Sequence, residues 1–193
     1  MYASLADIRE YLGGPPTTDN TLLTNLIPRA QGIINAYTQR VFEASGDTTR
    51  YFDAIEDVDH LQRTLYLGQN DLCQITTVTN GDSTVLTTSD YTTLPKNYTP
   101  YYALKIKLSS SNVWTYSTTP EDAISISGRW AYSVTAPDDI KHACIRLTVW
   151  LYRQKDASSL GDVGSISQSG VVVEPAALPS DVQLILIPYK RLA

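Results

Sequence analysis

The residues best suited to chemistry lie in an acidic stretch that ends in a histidine. The stretch runs from Asp53 through Glu56, Asp57 and Asp59 to His60. Because carboxylates are ligands that Ca²⁺ prefers, the stretch is a candidate cation site. Its spacing does not match an EF-hand loop, which requires glycine at the sixth position. The alternative is a solvated loop without an ion, and the sequence favours that alternative.

The other reactive side chains form no recognisable catalytic arrangement. The chain contains no nucleophile elbow, Walker A loop or dinucleotide fingerprint. His142 has no histidine or cysteine at metal-ligand spacing, and the adjacent acids Glu121 and Asp122 are expected to point in different directions. Cys73 and Cys144 are expected to be small buried apolar residues. We therefore predict no catalytic residue, no metal site and no cofactor, and we expect that the protein is not an enzyme.

The charge and hydropathy of the chain argue against two classes of protein. The 193 residues carry a net charge of −5, whereas a protein that grips DNA needs clustered Lys and Arg. An acidic wall would instead suit a surface past which DNA slides. No stretch approaches the roughly 18 apolar residues of a membrane span, and no signal peptide is visible. We expect a cytoplasmic protein, or one that reaches its destination by assembly.

Apolar residues at helical spacing predict four helices. In the first, Ser4 is a candidate N-cap, and Asp7 lies where a carboxylate favours a helix N-terminus. Pro137 precedes the third helix, and Ser180 is a candidate cap of the last. The predicted helices lie near residues 4–12, 20–40, 137–155 and 180–190.

The second helix contains an internal proline. Asp19 or Asn20 is the candidate cap. Pro28 lacks a backbone donor, so we expect a bend near Asn25 rather than a straight helix. Alternatively, the helix starts at Pro28, with proline in the first helical position.

The middle of the chain follows the two-residue period of β-strands. Leu104, Ile106 and Leu108 alternate with lysines, which predicts a strand with one face in water. Asn80-Gly81 predicts a hairpin turn, because both residues tolerate positive φ. Strands are predicted at residues 50–53, 64–67, 73–79, 83–86, 103–108 and 123–127.

Together these elements predict an α+β fold. Residues 1–47 and 134–193 form a helical bundle, and residues 48–133 form an inserted antiparallel β-region. Residues 156–170 are rich in Ser, Gly and Asp and are predicted to be a mobile loop. The three valines that follow are a candidate strand.

The order of these segments resembles that of the bacteriophage head-tail connector proteins, the gp6-like adaptor group. The similarity starts at Asp19-Asn-x-Leu-Leu-x-x-Leu-Ile-x-x-Ala30 and covers most of the chain. The further similar segments are Ile33 to Tyr37, Arg40 to Phe42, Leu65 to Leu67, Ile75 to Val78, Asp90-Tyr91, Ile124 to Tyr132, Pro137 to Ala143, Leu151 to Arg153 and Leu178 to Arg191.

The resemblance implies a single connector domain in a virion neck, assembled in the host cytoplasm. It implies a ring, usually of twelve subunits, that docks under the portal protein and joins the next component, a stopper or tail-completion protein. Double-stranded DNA would pass through this ring without specific binding. The resemblance places portal binding in the C-terminal segment, for which the candidate residues are Val171, Val172, Val173, Ile185, Ile187, Tyr189, Lys190 and Arg191.

Three alternatives stay open from the sequence. The protein could be a β-rich module that binds carbohydrate or a host surface, with Trp114 as the plausible exposed contact ring. It could occupy the stopper or tail-completion position rather than the adaptor position. It could also be an unrecognised hydrolase whose site is assembled from distant residues.

Overall fold

The chain folds into helices and antiparallel sheets arranged in two compact units. The computed structural model describes residues 1–157, 165–166, 172–173 and 178–191. One unit comprises residues 1–40 and 136–193, and the other comprises residues 41–135. The described residues contain four α-helices and two four-stranded antiparallel sheets, which confirms the predicted α+β fold. The helices are α1 (Leu5–Tyr11), α2 (Asn20–Thr38), α3 (Asp138–Ala157) and α4 (Ser180–Leu186), and 3-10 turns lie at Thr17–Asp19 and Ile187–Tyr189.

Local hydrogen bonds close both ends of α1. Ser4 Oγ accepts the N–H of Asp7 at 3.2 Å, and the Asp7 carboxylate accepts the N–H of Ser4 at 2.8 Å. This reciprocal pair is a capping box, so the predicted cap is confirmed. At the other end, the Gly14 N–H reaches the Arg9 carbonyl at 3.0 Å. Gly13 has a φ of +74°, the left-handed conformation with which glycine commonly ends a helix.

The second helix continues through its internal proline. α2 is unbroken from Asn20 to Thr38, so the alternative start at Pro28 is wrong. Pro28 and Thr24 both lie on the exposed side of the helix. The Thr24 carbonyl, which would otherwise accept from residue 28, can therefore bind water in place of the missing donor.

Neither candidate cap of α2 acts as a side-chain cap. Asp19 precedes the helix but makes no capping bond, and its carboxylate instead accepts the hydroxyl of Tyr152 on α3. Asn20 is the first helical residue, and its side-chain oxygen accepts from Arg9 on α1 at 2.6 Å. Both side chains thus link the start of α2 to other helices.

α3 packs against α1, α2 and α4. It starts directly after Pro137, with Asp138 and Asp139 in its first turn, as predicted. Thr148 is buried, and its hydroxyl donates to the Cys144 carbonyl at 2.7 Å, which satisfies the polar group. The other buried side chains of α3 are Ile140, Ala143, Cys144, Leu147 and Val149.

α4 completes the helical unit. Ser180 is its first helical residue and not its cap, because Pro179 occupies the cap position without a side-chain hydrogen bond. Val182 and Leu186, one helical turn apart, are fully buried. Leu178, just before the helix, is buried as well.

A short antiparallel pair precedes α4. Strand β10 (Val172–Val173) pairs with strand β9 (Ser165–Ile166), in agreement with the strand predicted from the valines. The rest of the predicted mobile loop at 156–170, beyond residue 157, lies outside the described residues.

Eight further strands form two sheets in the second unit. The sheet orders are β1-β8-β4-β5 and β2-β3-β7-β6. The two sheets share one apolar core, to which Ile126 and Val78 contribute from the first sheet and Leu104 and Leu65 from the second. The strands are β1 (Asp47–Phe52), β2 (Val58–Asp59), β3 (Thr64–Tyr66), β4 (Gln74–Thr79), β5 (Val85–Leu86), β6 (Tyr91–Leu94), β7 (Ala103–Ile106) and β8 (Ile124–Arg129).

The strand predictions need two corrections. Periodicity does not predict β2 or β6: β2 has only two residues, and the sequence Tyr-Thr-Thr-Leu of β6 does not alternate between apolar and polar residues. β7 ends at Ile106, and Leu108 is 86% exposed, so the predicted continuation of the buried face is wrong.

The hairpin predicted at Asn80-Gly81 exists, but its turn has a different geometry. The Ser83 N–H donates to the Asn80 carbonyl at 2.9 Å between β4 and β5. Ser83, with a φ of +68°, is the residue in the left-handed region, and neither Asn80 nor Gly81 is. Gly81 is required for another reason, since a Cβ there would lie 2.4 Å from the Thr115 carbonyl oxygen.

β8 and β4 approach each other closely at Gly128, and a substitution there tests this packing. A Cβ at this position would lie 2.2 Å from the Gln74 carbonyl oxygen, so Gly128→Ala should lower the free energy of unfolding by about 2 kcal/mol. The matched change Gly32→Ala, in open space on α2, should raise it by about 1 kcal/mol. Urea unfolding followed by circular dichroism measures both, and unchanged stability in Gly128→Ala would contradict the packing described.

The ion pair between α1 and α3 predicts a pH dependence of stability. The Lys141 ammonium lies 2.8 Å from the Asp7 carboxylate, and hydrogen bonds from Lys141 and Ser4 lower the pKa of Asp7 from 3.8 to about 2. A carboxyl with a depressed pKa in the folded state stabilises that state above its unfolded pKa. This contribution is therefore complete above pH 3.8 and is lost as the pH falls towards 2.

In Asp7→Asn, the free energy of unfolding should therefore fall less steeply than in the wild type between pH 4 and pH 2, roughly the interval between the unfolded and folded pKa values of Asp7. Urea unfolding at successive pH values measures this slope. Glu10→Gln is the matched control, because it removes a carboxylate from the same helix while the Asp7–Lys141 pair remains. A wild-type slope in Asp7→Asn would show that the pair contributes nothing to folding.

Candidate functional site

The acidic stretch stabilises its own loop. Asp53 Oδ1 accepts the N–H groups of Ile55 and Glu56 at 2.6 and 2.9 Å, and Asp57 Oδ2 accepts the N–H of Asp53 at 2.8 Å. His60 Nε2 lies 3.0 Å from the Ala54 carbonyl oxygen. Across the described part of the chain, no group of three His, Cys, Asp or Glu residues could hold a metal ion. The acidic side chains thus hold the conformation of their own loop.

The other candidate reactive side chains are buried or lie against a neighbouring ring. Cys73 and Cys144 are buried, as predicted, and burial raises the pKa of both thiols, that of Cys144 to about 11. At neutral pH both are thus protonated and unreactive. His142 is exposed on α3 and makes an edge contact with the Tyr11 ring, with centroids 6.3 Å apart.

The proposed exposed tryptophan is buried. Trp114 is 3% exposed, and its Nε1–H donates to the Arg63 carbonyl at 3.0 Å. The expectation that it is an exposed contact ring is wrong, because a Ser/Asn-rich neighbourhood in sequence does not reveal the strands that cover it. Trp130 is buried as well, and its Nε1–H donates to the Thr48 carbonyl at 2.9 Å.

The structure describes part of the candidate portal-binding segment. Val171 lies outside the described residues, and Val172 and Val173 form β10. Ile185 is half-buried, whereas Ile187 is 54% exposed. The sequence-predicted residues thus fall on different elements, and those on α4 and its 3-10 turn form the larger described group.

Arg146 of α3 holds the start of α4. Its guanidinium pairs with the Asp181 carboxylate, with Nε 2.7 Å from Oδ2. Hydrogen bonding from Arg146 lowers the pKa of Asp181. The same guanidinium donates to the Tyr11 hydroxyl at 3.1 Å, so one side chain joins α1, α3 and α4.

The last described residues are attached to the ends of α2 and α3. The Arg191 N–H donates to the carbonyl of Thr38, the last residue of α2, at 3.0 Å. The Lys190 ammonium lies 5.4 Å from the centroid of the Tyr37 ring. The Tyr189 hydroxyl donates to Asp139 at 3.3 Å. The Lys190 ammonium therefore lies near the C-terminus of α2, where positive charge is favourable.

An apolar strip remains exposed on this anchored segment. Leu184 is 70% exposed, and Ile187 follows three residues later on the same helical face. The sequence analysis included Ile187 but missed Leu184. Val182 and Leu186 lie one helical turn apart and are buried, whereas Leu184 and Ile187 lie on another side of the helix. Residues 184–187 are all apolar, so the sequence does not distinguish the exposed residues from the buried ones.

No helix in the described part of the chain is both long and apolar enough to cross a membrane.

Solved structures with a similar fold come from gene transfer agent (GTA) particles. A chain in the virion of the native particle matches with a TM-score of 0.57 and 13% identity over 98% of this chain and 89% of that chain. A chain in the neck of the native particle, computed with C12 symmetry, matches with a TM-score of 0.55 and 12% identity over 98% and 88%. A chain in the neck of the empty particle, computed with C6 symmetry, gives 0.55 and 12% over 98% and 89%.

No protein-family model matches the chain, and no curated protein matches it in sequence. At 12–13% identity the structural likeness establishes a shared fold. The likeness extends over both compact units, since 98% of the chain is covered in each comparison.

Proposed function

We propose that this protein is a structural component of the neck of a tailed-phage-like particle. The observation that carries the proposal is the full-length similarity of fold to chains from GTA necks. The order of sequence segments that resembles head-tail adaptors supports the same conclusion independently of the coordinates.

In this proposal the subunits form a ring under the portal protein and join it to the next tail component. The C12 and C6 symmetries of the neighbouring neck structures support a cyclic arrangement with twelve copies. The net charge of −5 suits a channel through which DNA passes without binding, because like charge prevents adhesion of phosphate. Both compact units belong to one connector domain, and the ring is a virion component assembled in the host cytoplasm.

The C-terminal segment binds the portal in this proposal. Leu184 and Ile187 are its exposed apolar residues, and burial of apolar surface is the main favourable contribution to most protein association. Arg146 and the attachment at Arg191 fix the segment on the helical unit. The docking surface is thus preorganised, and its binding does not have to offset the entropy of ordering α4.

The carbohydrate-binding alternative required Trp114 as an exposed aromatic contact residue, but Trp114 is buried. A stopper or tail-completion protein would also be a neck component, and the order of assembly distinguishes it from an adaptor. An adaptor binds the portal directly, whereas a stopper binds only after the adaptor is present.

Mixing the purified protein with the portal protein of the same particle tests the proposed role. We expect a complex whose mass, measured by mass photometry, corresponds to twelve subunits on one portal. A monomer in the absence of portal is compatible with the proposal, since the portal can template the ring. A protein that stays monomeric with portal and with portal–adaptor complex would contradict a role in the neck.

Substitution of the exposed α4 residues tests the docking surface. Leu184→Asp combined with Ile187→Asp should weaken portal binding at least tenfold, since two apolar contacts are replaced by charges. Leu108→Asp is the matched control, because Leu108 is 86% exposed in the β-unit. Point substitutions are preferable to deletion after residue 170, because that deletion would remove the buried Leu178, Val182 and Leu186.

Binding in these variants can be measured by interferometry on immobilised portal. If the double variant has a native circular dichroism spectrum and binds portal as tightly as the wild type, α4 is not part of the portal interface. An equal loss in Leu108→Asp would show that the effect is not specific to the C-terminal segment.

A further inference from the structure

Strand β6 is an open edge of the second sheet. In the described part of the chain it pairs with β7 alone, with Tyr91 opposite Ile106 and Leu94 opposite Ala103. An edge strand presents unpaired N–H and C=O groups, which form a template for an added strand.

The hydrogen-bond pattern identifies the backbone groups that face outward. The Asp90 carbonyl accepts from the Lys107 N–H, and the Leu94 carbonyl accepts from the Tyr102 N–H, both at 2.8 Å. In an antiparallel pair, alternate residues direct their polar groups to the same partner. The even-numbered residues therefore face β7, and Tyr91 and Thr93 direct their N–H and C=O groups to the open edge.

An open groove follows this edge. It has a volume of about 620 Å³, and the four residues of β6 line it together with Thr88, Lys96, Asn97 and Lys107. The Lys107 ammonium donates to the Thr88 carbonyl at 2.6 Å, which fixes this cation beside the groove. The lining residues include two lysines and no carboxylate, in a chain whose net charge is −5.

The nearest acid in sequence is already engaged. The Asp90 carboxylate accepts from the Thr87 N–H at 2.8 Å, from Ser110 at 2.9 Å and from Asn112 at 3.1 Å. These hydrogen bonds lower the pKa of Asp90 to about 2, the largest cause being the Thr87 hydroxyl. Asp90 holds the loops beside the groove and is not among the residues that line it.

The lysines decide which strand can bind. Lysine on an edge opposes pairing between two copies of the same edge, because like charges are brought together. The same charges attract a strand that carries carboxylates at matching positions. The charge of the edge therefore opposes pairing with a second β6 and favours an acidic strand.

We infer that the β6 edge binds an extended acidic segment of a partner polypeptide as an added β-strand. Tyr91 and Thr93 supply the main-chain hydrogen bonds, and Lys96 and Lys107 supply the charge selectivity. This interaction goes beyond the proposed neck role and does not depend on ring formation.

Two synthetic peptides provide the probes. One has the sequence Glu-Thr-Val-Thr-Val-Thr-Glu, and the other has lysine in place of both glutamates. Two-dimensional NMR of the full chain should show that the glutamate peptide shifts the amide signals of Tyr91 and Thr93 and slows their hydrogen exchange. The lysine peptide should leave both unchanged.

Two substitutions separate the charge from the backbone contribution. Lys96→Glu should weaken binding of the glutamate peptide about fivefold, and Lys105→Glu, on β7 and outside the groove lining, should not. Thr93→Pro removes an outward N–H without removing a ladder bond and should weaken binding about tenfold, whereas Thr93→Ala should not.

Equal binding of the two peptides, or exchange at Tyr91 and Thr93 unchanged by the glutamate peptide, would overturn the inference. Self-association that Thr93→Pro abolishes would overturn it in favour of a second copy as the occupant. Should Thr93→Pro fail to fold, the comparison of Lys96→Glu with Lys105→Glu and the exchange data decide the question without it.

Discussion

The packing of α3 against α2 is the contact on which the helical unit depends. The chain leaves this unit after residue 40 and returns at residue 136, so folding must offset the entropy of closing a long loop. α2 and α3 each contact both α1 and α4, so the pair forms the centre of the helical unit. Each of the two helices contributes fully buried side chains, among them Ile34 of α2 and Leu147 of α3. Loss of the contact between α2 and α3 would remove the centre against which α1 and α4 pack.

Much of the helical unit was predictable because its signals are local. Ser4 and Asp7 form the capping box that their spacing indicates, and Pro137 precedes α3. Whether α2 continues through Pro28 was not predictable from a local signal. Pro28 and Thr24 are exposed, so the carbonyl that lacks its donor can bind water, and the remaining turns of α2 are held by tertiary packing. The apolar spacing indicates which side of α2 faces water, but it does not decide whether the helix continues through a proline.

The β-unit was less predictable because its stability comes from distant residues. Trp114 is buried through contacts with residues about fifty positions away, such as Arg63. The local alternation of apolar and polar residues gives no information about such contacts. Leu108 continues a perfect alternation yet lies beyond the last ladder pair of β7. The candidate binding surfaces share this difficulty. Leu184 is apolar like its buried neighbours, and the open edge at Tyr91 and Thr93 is a property of sheet order.

Several acidic side chains hold the fold together through hydrogen bonds. The hydrogen bonds that Asp7 and Asp90 accept lower the pKa of each to about 2, so both are ionised at neutral pH. Asp53 closes a loop, and Asp181 is paired with Arg146. These carboxylates hold turns and helix contacts, whereas Leu184 and Lys96 are exposed on the two proposed binding surfaces. In the proposed neck role, a subunit held together in this way would form each interface without reorganisation of the fold that presents it.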